Sequence, residues 1–161
     1  MLALARRNQA EAGVSNVEYI PLPEASVDVI ISNCVINLSA NKDAVFHEAF
    51  RVLKDGGRLA ISDIVLGRRL SDPVAHLVGL WTGCVAGALL EGDYRQRLEA
   101  AGFAEIDVEP TRVFERSDLA HMASDMIASG DIAADIDVSA TLEELDGVVM
   151  SAFVRARKAA A

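Results

Sequence analysis

Residues 26–38, SVDVIISNCVINL, constrain this chain more than any other stretch. Val27, Val29, Ile30 and Ile31 are β-branched and nearly contiguous. That pattern predicts a strand covered on both faces, as in a parallel sheet with helices on each side. Ser32, Asn33 and Cys34 follow at its carboxyl end, the edge of an open α/β sheet where ligands bind. A cysteine there is either a small buried hydrophobe or a ligand, and the strand alone leaves both open.

The flanking segments extend the α/β reading. Residues 41–54 carry Val45, Phe46, Ala49, Phe50 and Leu53 at helical spacing, and Asp55-Gly56-Gly57 reads as the stop. Residues 58–65, RLAISDIV, form a second buried strand with Ser62 and Asp63 towards its carboxyl end. Two strands joined by a helix make a right-handed parallel crossover. Ahead of them, residues 1–12 read as the end of a helix closed by Gly13, and residues 16–20 as a short strand broken by Pro21-Leu22-Pro23. No capping residue precedes Met1, so the start of that helix is expected upstream.

Beyond the crossover, Pro73 opens a helical region over about residues 72–90. Gly79, Gly83 and Gly87 recur there every four residues, the spacing of a closely packed helix face. A short helix over 93–101 is stopped by Gly102, a strand follows over 103–114, and a capped helix over 117–129. Residues 130–140 read as an acidic connector and 147–158 as a closing strand.

A chain of 161 residues is expected to be one domain. It is 52% hydrophobic but only 5% aromatic, so the core is aliphatic. The net charge of −9 argues against nucleic acid, whose phosphates select basic surfaces, and against anionic membranes. The longest mostly apolar run, residues 77–90, falls short of the roughly 20 residues that span a bilayer. Two cysteines in separate segments do not make a disulfide scaffold, and no secretory signal pattern opens the chain. These features point to the cytoplasm. Read singly, Cys34 and Cys84 are core residues, and His47, His76 and His121 are surface or packing residues. Asp28 is a strand-edge charge. Asp63 either hydrogen-bonds near a pocket or caps a turn.

Four stretches together change the balance: IPLPEASVDVIISNCVINLS, FHEAFRVLKDGGRLAISDIV, WTGCVAGALL and YRQRLEAAGFAEIDVE. They resemble the arsenite methyltransferases, a branch of the S-adenosylmethionine-dependent, class I Rossmann-like methyltransferases. LKDGGRLAISD resembles the broad superfamily. SNCVINL and GCVAGAL are more specific, because each carries a cysteine where that family places an arsenic-binding cysteine. The resemblance runs from Met1 to about Val108.

The resemblance implies a partial Rossmann-like sheet with flanking helices, in which the last strand is antiparallel and the first strands are missing. The glycine-rich turn, the acidic residue for the cofactor ribose and a further cysteine would then precede Met1, and the chain would be a single incomplete methyltransferase-like domain. Cys34 and Cys84 would hold As(III) as thiolates, the soft ligands a thiophilic centre selects. The turn Ser32, Asn33, Cys34 and Val35 would contact S-adenosylmethionine. Methyl transfer from a sulfonium needs distance, alignment and exclusion of water rather than a tuned base. The partner implied is a small molecule, arsenite or its thiol conjugates. A homodimer would bury the sheet edge left by missing strands. Two other readings compete: a non-catalytic As(III)- or thiol-binding remnant of the fold, and a generic small-molecule methyltransferase with the cysteines in its core.

Overall fold

The computed structural model describes residues 20–81, 83–130 and 138–160, without the side chains at 76, 79–81 and 83. Five strands share one sheet: β1 (Val27–Asn33), β2 (Leu53–Leu66), β3 (Leu89–Leu90), β4 (Phe103–Val113) and β5 (Val149–Lys158). Their order is β1-β2-β5-β4, with β3 beside the end of β2. β1 and β2 are parallel and joined through helix α1 (Lys42–Val52), the expected crossover. β5 runs antiparallel to both neighbours, as the resemblance implies.

Local chemistry explains α1. The Asn41 side chain accepts a hydrogen bond from the Ala44 amide at 3.1 Å, capping the first turn. Phe46, Ala49 and Val52 form its buried stripe. The sequence predicts two more residues of helix and a glycine stop. Instead the helix ends at Val52, because Leu53 is fully buried as the first residue of β2, opposite Val27. Pairing then jumps to Val29 opposite Arg58, so residues 54–57 bulge out of the ladder. Gly56 takes φ +74° there. A Cβ on Gly57 would lie 2.7 Å from the Lys54 carbonyl oxygen and 3.3 Å from that of Asp28. The two glycines serve the bulge, not the helix end.

The helical region after Pro73 also departs from expectation. It divides into α2 (Asp72–Trp81) and the single turn α3 (Gly83–Ala86), and Leu89 and Leu90 leave the helix to pair with Val65 and Leu66. Helix α4 (Glu91–Ala100) buries Tyr94 and Leu98. Gly102, at φ +101°, turns the chain into β4. Helix α5 (Arg116–Ser129) is capped by a reciprocal Glu115–Asp118 box rather than by Ser117. Part of the expected connector is helix α6 (Ser139–Leu145), which buries Thr141, Leu142 and Leu145. The expected helix over 1–12, and the strand over 16–20 except Ile20, lie outside the described residues. Ile20 itself is in irregular backbone.

Alternation along β2 sends its side chains into two cores. Leu53, Leu59 and Ile61 pack with Phe46, Tyr94, Leu98, Phe103 and Val154. On the other side Ile64 and Leu66 join Leu70, Val74, Val78 and Leu145, a second core confined to the carboxyl end of the strand. Beyond its reach, the described residues cover only one face of β1, where its sequence predicts cover on both. Ile30 is half-buried against the first core, whereas Val29 and Ile31 are 40% and 80% exposed. An edge strand beyond the reach of the second core keeps one apolar face uncovered by the described residues.

Candidate functional site

The site lies where the carboxyl ends of β1 and β2 meet α3. β1 stops at Asn33, and Cys34 turns the chain with φ +51°. Left-handed backbone costs a non-glycine residue roughly 1–2 kcal/mol, so neighbouring contacts must hold it. The Cys34 amide donates to the Ser62 carbonyl of β2 at 2.8 Å. One turn of 3-10 helix, Ile36–Leu38, then leads to α1.

Cys84 arrives from a segment 50 positions away. Its helix α3 packs on the 3-10 turn and on β2, and Val85 anchors it against the second core. The Cys84 Sγ lies 3.9 Å from the Cys34 carbonyl oxygen, a long thiol-to-carbonyl contact. Both cysteines are free and partly accessible. The structure thus brings together the two thiols that the sequence singles out. Burial, then the Asp63 charge, then Cys84 push the Cys34 thiol above its ordinary range, so it is protonated near neutrality.

Under this turn lies a polar cluster that sequence reasoning largely missed. Asp63 is 1% exposed. Its Oδ2 accepts from the Asn37 amide at 3.2 Å and from the Tyr94 hydroxyl at 3.4 Å. Its Oδ1 accepts from Asn37 Nδ2 at 2.9 Å and from the Ile64 amide at 3.0 Å. Asn37 Nδ2 also donates to the Ile64 carbonyl at 2.8 Å. Lys42 Nζ donates to the carbonyls of Asn37 and Ser39 at 3.2 and 3.0 Å. Burial raises the Asp63 carboxyl despite these donors and the Lys42 charge. Burial also lowers Lys42, and burial together with Asp63 raises Tyr94 far above the usual phenol range. The Asn37 Oδ1 is buried and has no donor among the described residues. The available signal was a polar Asn37 between Ile36 and Leu38 in a turn too short to expose every side chain. Tyr94 carried none.

The remaining candidates separate. Ser32 is half-buried, Asn33 exposed and Val35 60% exposed on the open side of the turn. Beside them a shallow cleft of about 280 Å³ is lined by Ser32, Asn33, Ser62, Ile31, Ala60 and Phe153, with Ile61 and Arg155 also at its wall. Mixed hydroxyl, amide and apolar lining fits one wall of a nucleoside-sized group. His47 is exposed and bonded to its own helix through the Asp43 carbonyl, and His121 is exposed; the His76 side chain lies outside the described residues. Asp28 is exposed at the strand edge and pairs with Lys54 at 3.0 Å. Among the described residues no cluster of three or more His, Cys, Asp or Glu could hold a metal ion. No helix among them is long and apolar enough to cross a membrane.

A parallel crossover extended by an antiparallel last strand, β5, set between β2 and β4, defines a methyltransferase-type α/β fold. The chain belongs to the methyltransferase domain family, whose model matches residues 1–102. Within that family it is 38% identical over 150 residues to an arsenite methyltransferase of Halobacterium salinarum, across 89% of this chain and 37% of the relative. It is 41% identical over 92 residues to an arsenite methyltransferase of Aquipseudomonas alcaligenes, across 57% of this chain and 27% of that protein. Its structure is similar to that of an arsenic(III) S-adenosylmethionine methyltransferase from Chlamydomonas reinhardtii, with a TM-score of 0.59 at 27% identity, covering 91% of this chain and 42% of the other. The chain therefore spans less than half the length of these relatives.

Proposed function

We propose that this chain carries the arsenic-holding part of an S-adenosylmethionine-dependent arsenite methyltransferase, as a single methyltransferase-like unit over residues 1–161. The observation that carries the reading is the approach of Cys84 Sγ to the Cys34 turn at the carboxyl end of the sheet. Two thiols and arsenite, As(OH)₃, combine by exchange. Each S–H proton leaves with one arsenic-bound hydroxyl as water, two As–S bonds form, and one hydroxyl stays on arsenic. The high Cys34 pKa does not prevent this, because the incoming electrophile displaces the proton. When bound, S-adenosylmethionine supplies an electron-poor methyl group to the arsenic lone pair as its carbon–sulfur bond breaks. Ser32, Asn33, Cys34 and Val35 would form one wall for that cofactor, with Val35 its apolar part.

Equilibrium dialysis with arsenite tests the reading. The expected result is one arsenic per chain, with binding weakened at least about ten-fold by Cys34→Ser or by Cys84→Ser, the scale of one lost strong ligand. Arsenite binding that survives the double substitution overturns it. Free thiols in a site that works only when reduced fit the cytoplasm, where we place the chain.

We also propose that the apolar face of the edge strand β1, left open by the described residues, supports a homodimer, on the strength of Ile31 at 80% exposure beside Val29 and Phe153. Sedimentation of Ile31→Glu checks it. A parent dimer that becomes a monomer agrees, and a monomeric parent refutes it.

A further inference from the structure

Asp63 is the buried carboxylate among the described residues, and the exchange chemistry above does not use it. We propose that Asp63 is a positioning residue: through Asn37 it locks the turn that carries Cys34, so that the two thiols meet one arsenic atom. This rests on the arsenite-holding reading of the site.

Cys34 sits at φ +51°, a conformation that relaxes unless both of its flanks are tied. The near flank is tied by its own amide to Ser62 at 2.8 Å. The far flank is tied by Asn37, whose amide and side chain reach the two Asp63 oxygens at 3.2 and 2.9 Å and whose Nδ2 reaches the Ile64 carbonyl at 2.8 Å. Residues 34 and 37 of the turn are thus stitched to consecutive residues 62, 63 and 64 of β2, the strand paired on both sides. The carboxylate cannot swing away, because the Ile64 amide and the Tyr94 hydroxyl of α4 hold it from two further directions. Helix α3, the carrier of Cys84, packs on the same 3-10 turn that Asn37 belongs to. The position of each sulfur is therefore referred to one anchored turn. With both oxygens engaged by four donors, Asp63 acts by holding rather than by taking a proton.

Asp63→Asn is a selective probe. An amide oxygen in place of Oδ1 keeps the Asn37 Nδ2 and Ile64 bonds, and the Tyr94 hydroxyl can reverse to accept. The amide nitrogen then faces the Asn37 N–H, and that tie is lost. Dibromobimane, which fluoresces after bridging two thiols, reads the separation of Cys34 and Cys84 without arsenic. Monobromobimane reads the accessibility of each thiol alone. In Asp63→Asn the bridging rate and the arsenite affinity are expected to fall about ten-fold, the worth of one buried hydrogen bond to a charged group, with single labelling nearly unchanged at the alkaline plateau where both thiols are ionised. Bridging and arsenite affinity equal to the parent overturn the proposal. So does loss of bridging accompanied by fast labelling of both thiols, the mark of a loosened fold. Asn37→Ala, which cuts the side-chain tie but leaves the amide in place, gives the same reading if Asp63→Asn does not fold. Slowed bridging with normal single labelling supports the proposal, and parent-like bridging refutes it. A parent that bridges quickly but binds no arsenite overturns the arsenite reading, while slow bridging in Asp63→Asn still supports the positioning role.

Discussion

At Cys34 two influences compete for one proton. Burial is the larger cause of its raised pKa and the Asp63 charge the next. Both disfavour the thiolate, so deleting the charge must lower the titration midpoint. In a Cys84→Ser background, Asp63→Asn is expected to move the pH profile of iodoacetamide alkylation to lower pH. The midpoint stays above that of a free thiol, because burial persists. An unmoved or upward midpoint contradicts the arrangement. Tyr94 offers a second residue-level check. Its ring packs on Phe46 at 5.7 Å between centroids, and its hydroxyl makes one long bond to Asp63. Tyr94→Phe should cost about 0.5–1.5 kcal/mol in urea unfolding, and Tyr94→Ala about 3–5. At this scale the cysteines were legible only through the motifs around them, because a lone cysteine in an apolar strand reads as core. Asn37 carried a hint of burial but not of its partner. Its role depends on a carboxylate 26 positions later, a separation that no local pattern encodes.

Elements obeyed the sequence where side-chain periodicity decided them and departed from it where the sheet did. α1, α4, β4 and β5 follow their apolar spacing closely. The glycine pair after α1 looked like a helix stop because C-terminal glycines usually are, yet the long-range pairing of Leu53 with Val27 drew it into a bulge. That bulge gives a sharp expectation. Gly57→Ala should destabilise by about 1–3 kcal/mol, since its methyl would meet backbone oxygens that cannot swing aside. Gly92→Ala, with open space around it, should be far milder in the same melt. The start of the described chain is clipped to α1 by Glu48, which takes the Ile20 amide at 3.1 Å and pairs with Arg51 at 2.9 Å. The Arg51 hydrogen bond is the main reason its carboxyl titrates below the usual range. A carboxyl lowered by folding contributes stability above its unfolded value and loses it as pH falls through the folded one. Glu48→Gln should therefore cost about 1 kcal/mol at neutral pH and nothing in acid, measured as urea midpoints across that range.

For the molecule as a whole, composition and crossover pattern made the α/β class readable before any coordinate. The β1 face that the described residues leave open was not readable, because a run of β-branched residues looks the same whichever partner its second side meets. One further feature governs how such a molecule comes into being. The strand formed by residues 149–158 lies between two strands made much earlier, and among the described residues it alone joins them through backbone bonds. During synthesis the nascent chain can close the β1–β2 crossover while the ribosome is still at work, but these strands stay apart from β4 until those ten residues emerge. A stalled chain ending at residue 146 should be protease-sensitive across β4 and α5, residues 103–129, and supplying the last strand as a separate peptide should restore protection.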